Sequence, residues 1–220
     1  MTGVIAQMYD PGALVIVLAG TLIATAARCG ARDLGVAGAA LAALGRTRFD
    51  EDANRVALAR TAHEVEQRGK LCAAVAMPPD ASLARLIDAY VRHGSLDAMH
   101  QQAGSDRATR EAARAVAVRT FEYAGELAPV FGLVGTLFGI TRLVPGAGDT
   151  IETTMAAIAT AVLSTLYGVL TAHLLCIPLA RAIERRGERE EEARERLVDW
   201  LAPHLGTATP IALRPMRGVA

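Results

Sequence analysis

Apolar and polar positions divide the chain into three uncharged runs set among charged segments with helical periodicity. Pro11 to Ala27, PGALVIVLAGTLIATAA, carries no charge over seventeen residues. That is the short end of the roughly 17–25 residues that cross bilayer hydrocarbon. Leu127 to Val144 holds one charge, Arg142, near its end, where a long side chain can reach toward water. Residues 155–180, MAAIATAVLSTLYGVLTAHLLCIPLA, have no formal charge at neutral pH. At about 1.5 Å per residue this third run can span with a tilt. A shorter run, LGVAGAALAALG at 34–45, predicts an interfacial helix or an extension of the first hairpin arm.

The segments between these runs also read as helices. ANRVALARTAHEVEQRGKLCAAV and ASLARLIDAYVRHGSLDAMHQQ repeat apolar residues at three- and four-residue spacing, with little strand signal. MPPD at 77–80 separates them, and HGS at 93–95 interrupts the second. SDRATREAARAVAVRTFEYAGEL leads into the second span as one helix, and ARAIERRGEREEEARERLVDW leaves the third as another. The expected fold is all-α: a polytopic membrane protein with three transmembrane helices and a helical cytoplasmic region. The divisions are an external amino terminus (1–10), spans at 11–27 and 153–180, a helix at 121–144 that enters and forms the second span, a cytoplasmic helical region at 28–120 and an outer loop at 145–152. A helix at 181–202 and a flexible tail at 203–220 complete them.

Charge sets the orientation. Only Asp10 precedes the first span, whereas Arg28, Arg32, Arg46 and Arg48 follow it, and Arg181, Arg185 and Arg186 follow the third. The positive-inside rule then places the amino terminus outside, residues 46–120 and the tail in the cytoplasm, and PGAGDTIE at 145–152 as a short outer turn.

Composition agrees with a bilayer-embedded chain: 52% hydrophobic, mean hydropathy +0.27, yet only 4% aromatic. Such Ala-, Leu- and Val-rich content suits helix–helix contact better than a large soluble core. The 23 basic and 23 acidic residues cancel, so nothing suggests a nucleic-acid partner. Cys29, Cys72 and Cys176 lack the spacing of a zinc site or a disulfide scaffold and read as small buried hydrophobes. No cofactor or metal is implied. An enzyme is disfavoured, because no nucleophile and base share a membrane depth.

The candidate chemistry lies in the second and third spans. Gly132, Gly135 and Gly139 recur with Thr136 at three- and four-residue spacing, as do Ala157, Ala161, Ser164, Thr165, Gly168 and Ala172. Such faces let helices approach closely, as a packing seam inside one subunit or as a surface toward another chain or an aqueous path. Thr136 and Thr165 put hydroxyls at mid-depth, able to bond a carbonyl on their own helix or a neighbouring group. No span has Asp, Glu, Lys or Arg at its centre, so an ion crossing here would need a carboxylate from a partner. Pro129 and Pro178 each remove an amide proton and free a carbonyl four residues back, at Gly125 and Leu174. They are ordinary membrane-helix prolines or bend points coupling spans to cytoplasmic helices. His173 is a packed neutral histidine or a functional group. Glu122 and Glu126, in the last two turns before the span, are solvated or salt-bridged, or lie near an ion exit.

Taken together, YAGELAPVFGLVGTLFGI at 123–140 and MAAIATAVLSTLYGVLTAHLLCIPLARAIERR at 155–186 resemble the MotA/TolQ/ExbB proton channel family, nearest its flagellar-stator MotA branch. PGALVIVLAGTLIATA at 11–26 and EVEQRGKLCA at 64–73 match more weakly. The resemblance implies a homo-oligomer, a pentamer, around two helices of a one-span MotB-, TolR- or ExbD-like partner whose aspartate carries the proton. It implies that Pro129 and Pro178 are the channel-associated prolines and that Thr136 and Thr165 face that aspartate. In the MotA branch it adds a flagellar switch component as a partner, for which Arg85, Asp88 and Arg92 are available. MotA proteins have four spans, and this chain begins where their second would. His173 stands where they usually have asparagine.

The leading expectation is a subunit of a proton or sodium channel motor complex in a bacterial inner membrane, coupling ion flow to force or rotation. The alternatives are a non-conducting membrane scaffold of the same fold and an energiser of envelope transport of the TolQ/ExbB kind.

Overall fold

The structure is a computed structural model and describes residues 10–46, 49–68, 77–141 and 151–206. The loop expected at 145–152 falls almost wholly outside the described residues, as do Cys72, Arg142 and much of the 64–73 stretch. Every described element is helical. In chain order they are α1 (Pro11–Cys29), α2 (Ala31–Leu44), α3 (Glu51–Arg68), α4 (Ala81–His93), α5 (Leu96–Thr141), α6 (Ile151–Leu170), a π-helical segment (Thr171–Cys176) and α7 (Ile177–Gly206). Three helical stretches among them are long and apolar enough to cross a membrane, beginning at Pro11, Leu96 and Thr153.

The chain forms two units, and two of the three crossings between them fall inside helices. The span unit takes residues 1–46 and 113–186; the charged unit takes 47–112 and 187–220.

In the span unit, α1 starts on Asp10. Its Oδ1 accepts from the amides of Gly12 (2.9 Å) and Ala13 (3.1 Å), and Pro11 fills the first turn, where an amide would have no partner. α1 stops at Gly30, whose φ of +86° turns the chain into α2. Residues 34–45 were expected to extend the first arm or lie at the interface. They belong to a separate helix, which packs Ala37 against Ala117 and Ile183. Arg186 closes its far end by donating from Nη1 to the Leu44 carbonyl at 2.9 Å, one of the four acceptors that a helix end leaves unpaired.

The charged unit has a large-side-chain core. Leu58 of α3, Leu83, Ile87 and Tyr90 of α4, and Leu201 and Leu205 of α7 are all at most 2% exposed. Asp80 caps α4 through the amides of Ser82 and Leu83, and Gly94, at φ +62°, ends it by returning its amide to Tyr90. This is the interruption expected at 93–95. Residues 203–206 of the tail expected from 203 are helical, because α7 runs through Pro203 to Gly206; the rest of that tail lies outside the described residues. Packing overrides the proline: Leu201 and Leu205 are buried, and Tyr90 Oη donates to the Leu205 carbonyl at 3.0 Å.

Candidate functional site in the spans

The second and third spans meet almost backbone to backbone. A β-carbon on Gly168 would lie 2.6 Å from the Ala128 carbonyl oxygen and 3.1 Å from the Cα atoms of Gly132 and Pro129. One on Gly132 would lie 2.9 Å from the Ser164 carbonyl, one on Gly135 2.5 Å from Ser164 Cβ, and one on Gly139 3.1 Å from the Ala157 carbonyl. All four glycines therefore pack inside one subunit, where close contact replaces the hydrophobic drive that lipid removes. The contacts pair rising residues of α5 with falling residues of α6, so the helices run antiparallel. α1 joins them, with Gly20 against the Phe131 ring and Ile16 beside Gly135.

This pairing places the two threonines. Ser164 sits against Gly135, and Thr136 and Thr165 each follow those residues by one position, about 100° round the helix. In antiparallel helices that step carries both to the same side of the pair. That side also exposes Leu133, Val162 and Val169. Thr136 Oγ1 donates to its own Leu133 carbonyl at 2.6 Å, and both threonines are half-buried. The helical step thus sets both threonines on one side of the seam.

The other expected residues separate. Pro129 lies half-buried inside α5, and Gly125, whose carbonyl it frees, is buried against Cys176 and Ile177. Pro178 is exposed just past the π segment, and His173 is exposed within it. Glu126 accepts from Arg28 Nη1 at 3.2 Å, and the same guanidinium stacks 3.8 Å from the Tyr123 ring centre. Glu122 is exposed.

Three features escaped the sequence reading. Asp10 reaches beyond its cap: Thr160 Oγ1 donates to its Oδ2 at 2.6 Å, and its own amide donates to Tyr167 Oη at 3.1 Å. An Asp-Pro pair opening an apolar run signals the cap, but nothing in the sequence signals the cross-helix bonds. The π segment has no sequence signature beyond the proline after it. The third is an ion network in the charged unit. Arg110 grips Glu191 with Nε and Nη2, both at 2.8 Å, and Arg194 reaches Asp80 Oδ2 at 2.9 Å. Burial pushes the Asp80 and Glu191 carboxyls up. Hydrogen bonds from Arg194 and Ser82 to Asp80, and from Arg110 to Glu191, outweigh it and leave both below the usual carboxylate range. Arg85 and Arg92 are also engaged, by Asp106 (3.1 Å) and Asp88 (2.9 Å).

The profile of the MotA/TolQ/ExbB proton channel family matches residues 78–196, more than half of the chain and most of the seam. The chain belongs to this family. It is a family of channels rather than of enzymes. Among curated relatives, the uncharacterized protein YtxD of Bacillus subtilis is 35% identical over 38% of this chain and 30% of its own length. The chemotaxis protein PomA of Vibrio alginolyticus is 26% identical over 51% of this chain and 44% of its own length. The match spans less than half the length of either. The flagellar MotAB stator complex of Bacillus subtilis shares the fold, with a TM-score of 0.77, 22% identity, and coverage of 90% of this chain and 79% of that one.

Proposed function

We propose that the chain is the ion-pathway subunit of a membrane motor complex. Copies of it, five in the arrangement the family resemblance implies, surround the single spans of a MotB-, TolR- or ExbD-like partner whose aspartate carries a proton or sodium ion. The amino terminus faces outward, and residues 46–120 with the tail lie in the cytoplasm, as the arginine distribution favours. The observation that carries the reading is the hydroxyl patch. Thr136 and Thr165 share one side of a glycine seam whose spans hold no Asp, Glu, Lys or Arg at mid-depth.

The patch suits that task. A hydroxyl can donate to an ionised carboxylate and accept from a protonated one, so it serves both states of a partner aspartate. The seam keeps the two helices rigid while their outer side stays free to contact that span. Pro129 and Pro178, where the helices are relieved of amide donors, are the points at which motion in the spans passes to the charged unit. Glu122, Glu126 and His173 stand at the cytoplasmic ends of those spans, and Glu126 is held there by Arg28.

The test is a crosslink. Thr165→Cys should form a disulfide with a cysteine placed one turn from the partner's aspartate, and Val15→Cys on α1 should form none. Crosslinking through Val15 but not Thr165 would place the partner elsewhere and remove the pathway assignment.

A further inference from the structure

The break in the third span creates a feature that the threonine patch does not use. Through Thr171–Cys176 the helix bonds five residues back instead of four, and the Ile177 amide donates to the Ala172 carbonyl. The next residue, Pro178, has no amide proton. The carbonyl of His173 is therefore left without a helical donor: its α-type donor, Ile177, is committed to Ala172, and its π-type donor would be Pro178. The α-type donor of the Leu174 carbonyl is Pro178 as well. Two successive acceptors thus lose their α-helical partners within a few ångströms of each other.

Both acceptors belong to exposed residues. Leu174 is 66% exposed and His173 is exposed too, whereas Gly125, freed by the other proline, is buried against Cys176 and Ile177. Unpaired carbonyls facing lipid cost several kcal/mol each, so irregular backbone at membrane depth persists where it meets water or lines a cavity. His173 follows Thr165 by eight residues. That places it about 12 Å further along the helix, and it follows buried Ala172 by one position as Thr165 follows buried Ser164, which sets both on the same side.

We propose that the His173 and Leu174 carbonyl oxygens form a hydrated acceptor site that takes a cation, hydronium or sodium, as it leaves the threonine patch. Carbonyl oxygens at unwound helix segments coordinate such ions in membrane proteins generally. The site rests on the ion-pathway reading for its cation but not for its water.

Two measurements separate those parts. In a variant whose native cysteines are serine, single cysteines are placed at His173, at Leu174 and at Leu170, which is exposed on the side away from the patch. The assembled complex in inside-out vesicles is then exposed to a membrane-impermeant trimethylammonium methanethiosulfonate. Thiols react as thiolates, which form only where water reaches, so His173→Cys and Leu174→Cys should label about tenfold faster than Leu170→Cys. Equal, slow labelling at all three overturns the proposal, because the carbonyls would then be covered by protein or lipid. The second measurement varies the ion. Sodium at fixed pH should slow labelling at both positions if sodium is the ligand, and acid at fixed sodium should slow it beyond the loss of thiolate at a soluble thiol if hydronium is. No protection by either ion overturns the cation site. Ion flux in Thr165→Val decides the underlying reading separately: retained flux with fast labelling removes the threonine pathway and leaves a hydrated break that takes no part in it.

Discussion

The two units of this chain reach stability by opposite means. The charged unit fills its interior with large side chains such as Tyr90, Leu58 and Leu201, and surrounds them with ion pairs. The span unit does the reverse: its key contacts occur where side chains are absent, at Gly132, Gly135, Gly139 and Gly168. Water explains the difference. Burying a leucine gains free energy only against water, and in lipid the gain lies in close contact between helices. Removing buried side-chain carbon should therefore harm the charged unit, and adding it at a close glycine contact should harm the span unit.

The largest effect is expected from removal in the charged unit. Leu201→Ala should cost about 3 kcal/mol, read as a lowered unfolding midpoint by circular dichroism in detergent, since a fully buried leucine loses its contacts and leaves a cavity. Next comes addition in the span unit. Gly168→Ala should cost about 2 kcal/mol, because the new carbon meets the Ala128 carbonyl and two Cα atoms rather than a flexible side chain. Little change at Gly168 would end the account of the seam.

Ion pairs give a third contrast. Glu191→Gln should cost about 1–2 kcal/mol, since it weakens a two-bond grip on Arg110 at a carboxylate that is only partly open to solvent. The same groups set the response to acid. The Asp80 and Glu191 pKa values are depressed in the folded chain, so their stabilisation is complete above the ordinary carboxylate values and is lost as pH falls through the lowered ones. Hydrogen exchange should show the charged unit loosening below about pH 4 while the glycine seam, whose close contacts involve no carboxylate, stays protected. Simultaneous loosening of both would break the comparison.

The smallest effect has the opposite sign. Gly104 lies inside α5 with nothing within 4 Å of a β-carbon, so Gly104→Ala should stabilise by about 0.5–1 kcal/mol through helix propensity alone. One substitution type, at Gly168 and at Gly104, would thus move stability in two directions.

Much of this could be read in the sequence, because the bilayer makes the helix pattern explicit. The uncharged runs, the small-residue spacing and the paired threonines depend only on local composition and period. What could not be read depended on tertiary partners. Whether the glycines faced a neighbouring helix or another chain needed the Ser164 and Ala128 contacts. Asp10 reads as a cap, yet its bonds to Thr160 and Tyr167 cross about 150 residues of chain. Pro203 reads as the end of a helix, but the packing of Leu205 carries α7 past it. The π segment turns on a single extra residue per turn, which apolar periodicity does not register.

The central claim is that these charge-poor spans conduct only around a carboxylate supplied by another chain. Proton uptake into dye-loaded proteoliposomes under an imposed potential tests it directly, with sodium in place of protons if none is seen. The account predicts no flux above empty vesicles for the chain alone, clear flux with the one-span partner, and none when that partner's aspartate is asparagine. Flux from the chain by itself, or flux that survives the asparagine partner, would contradict it.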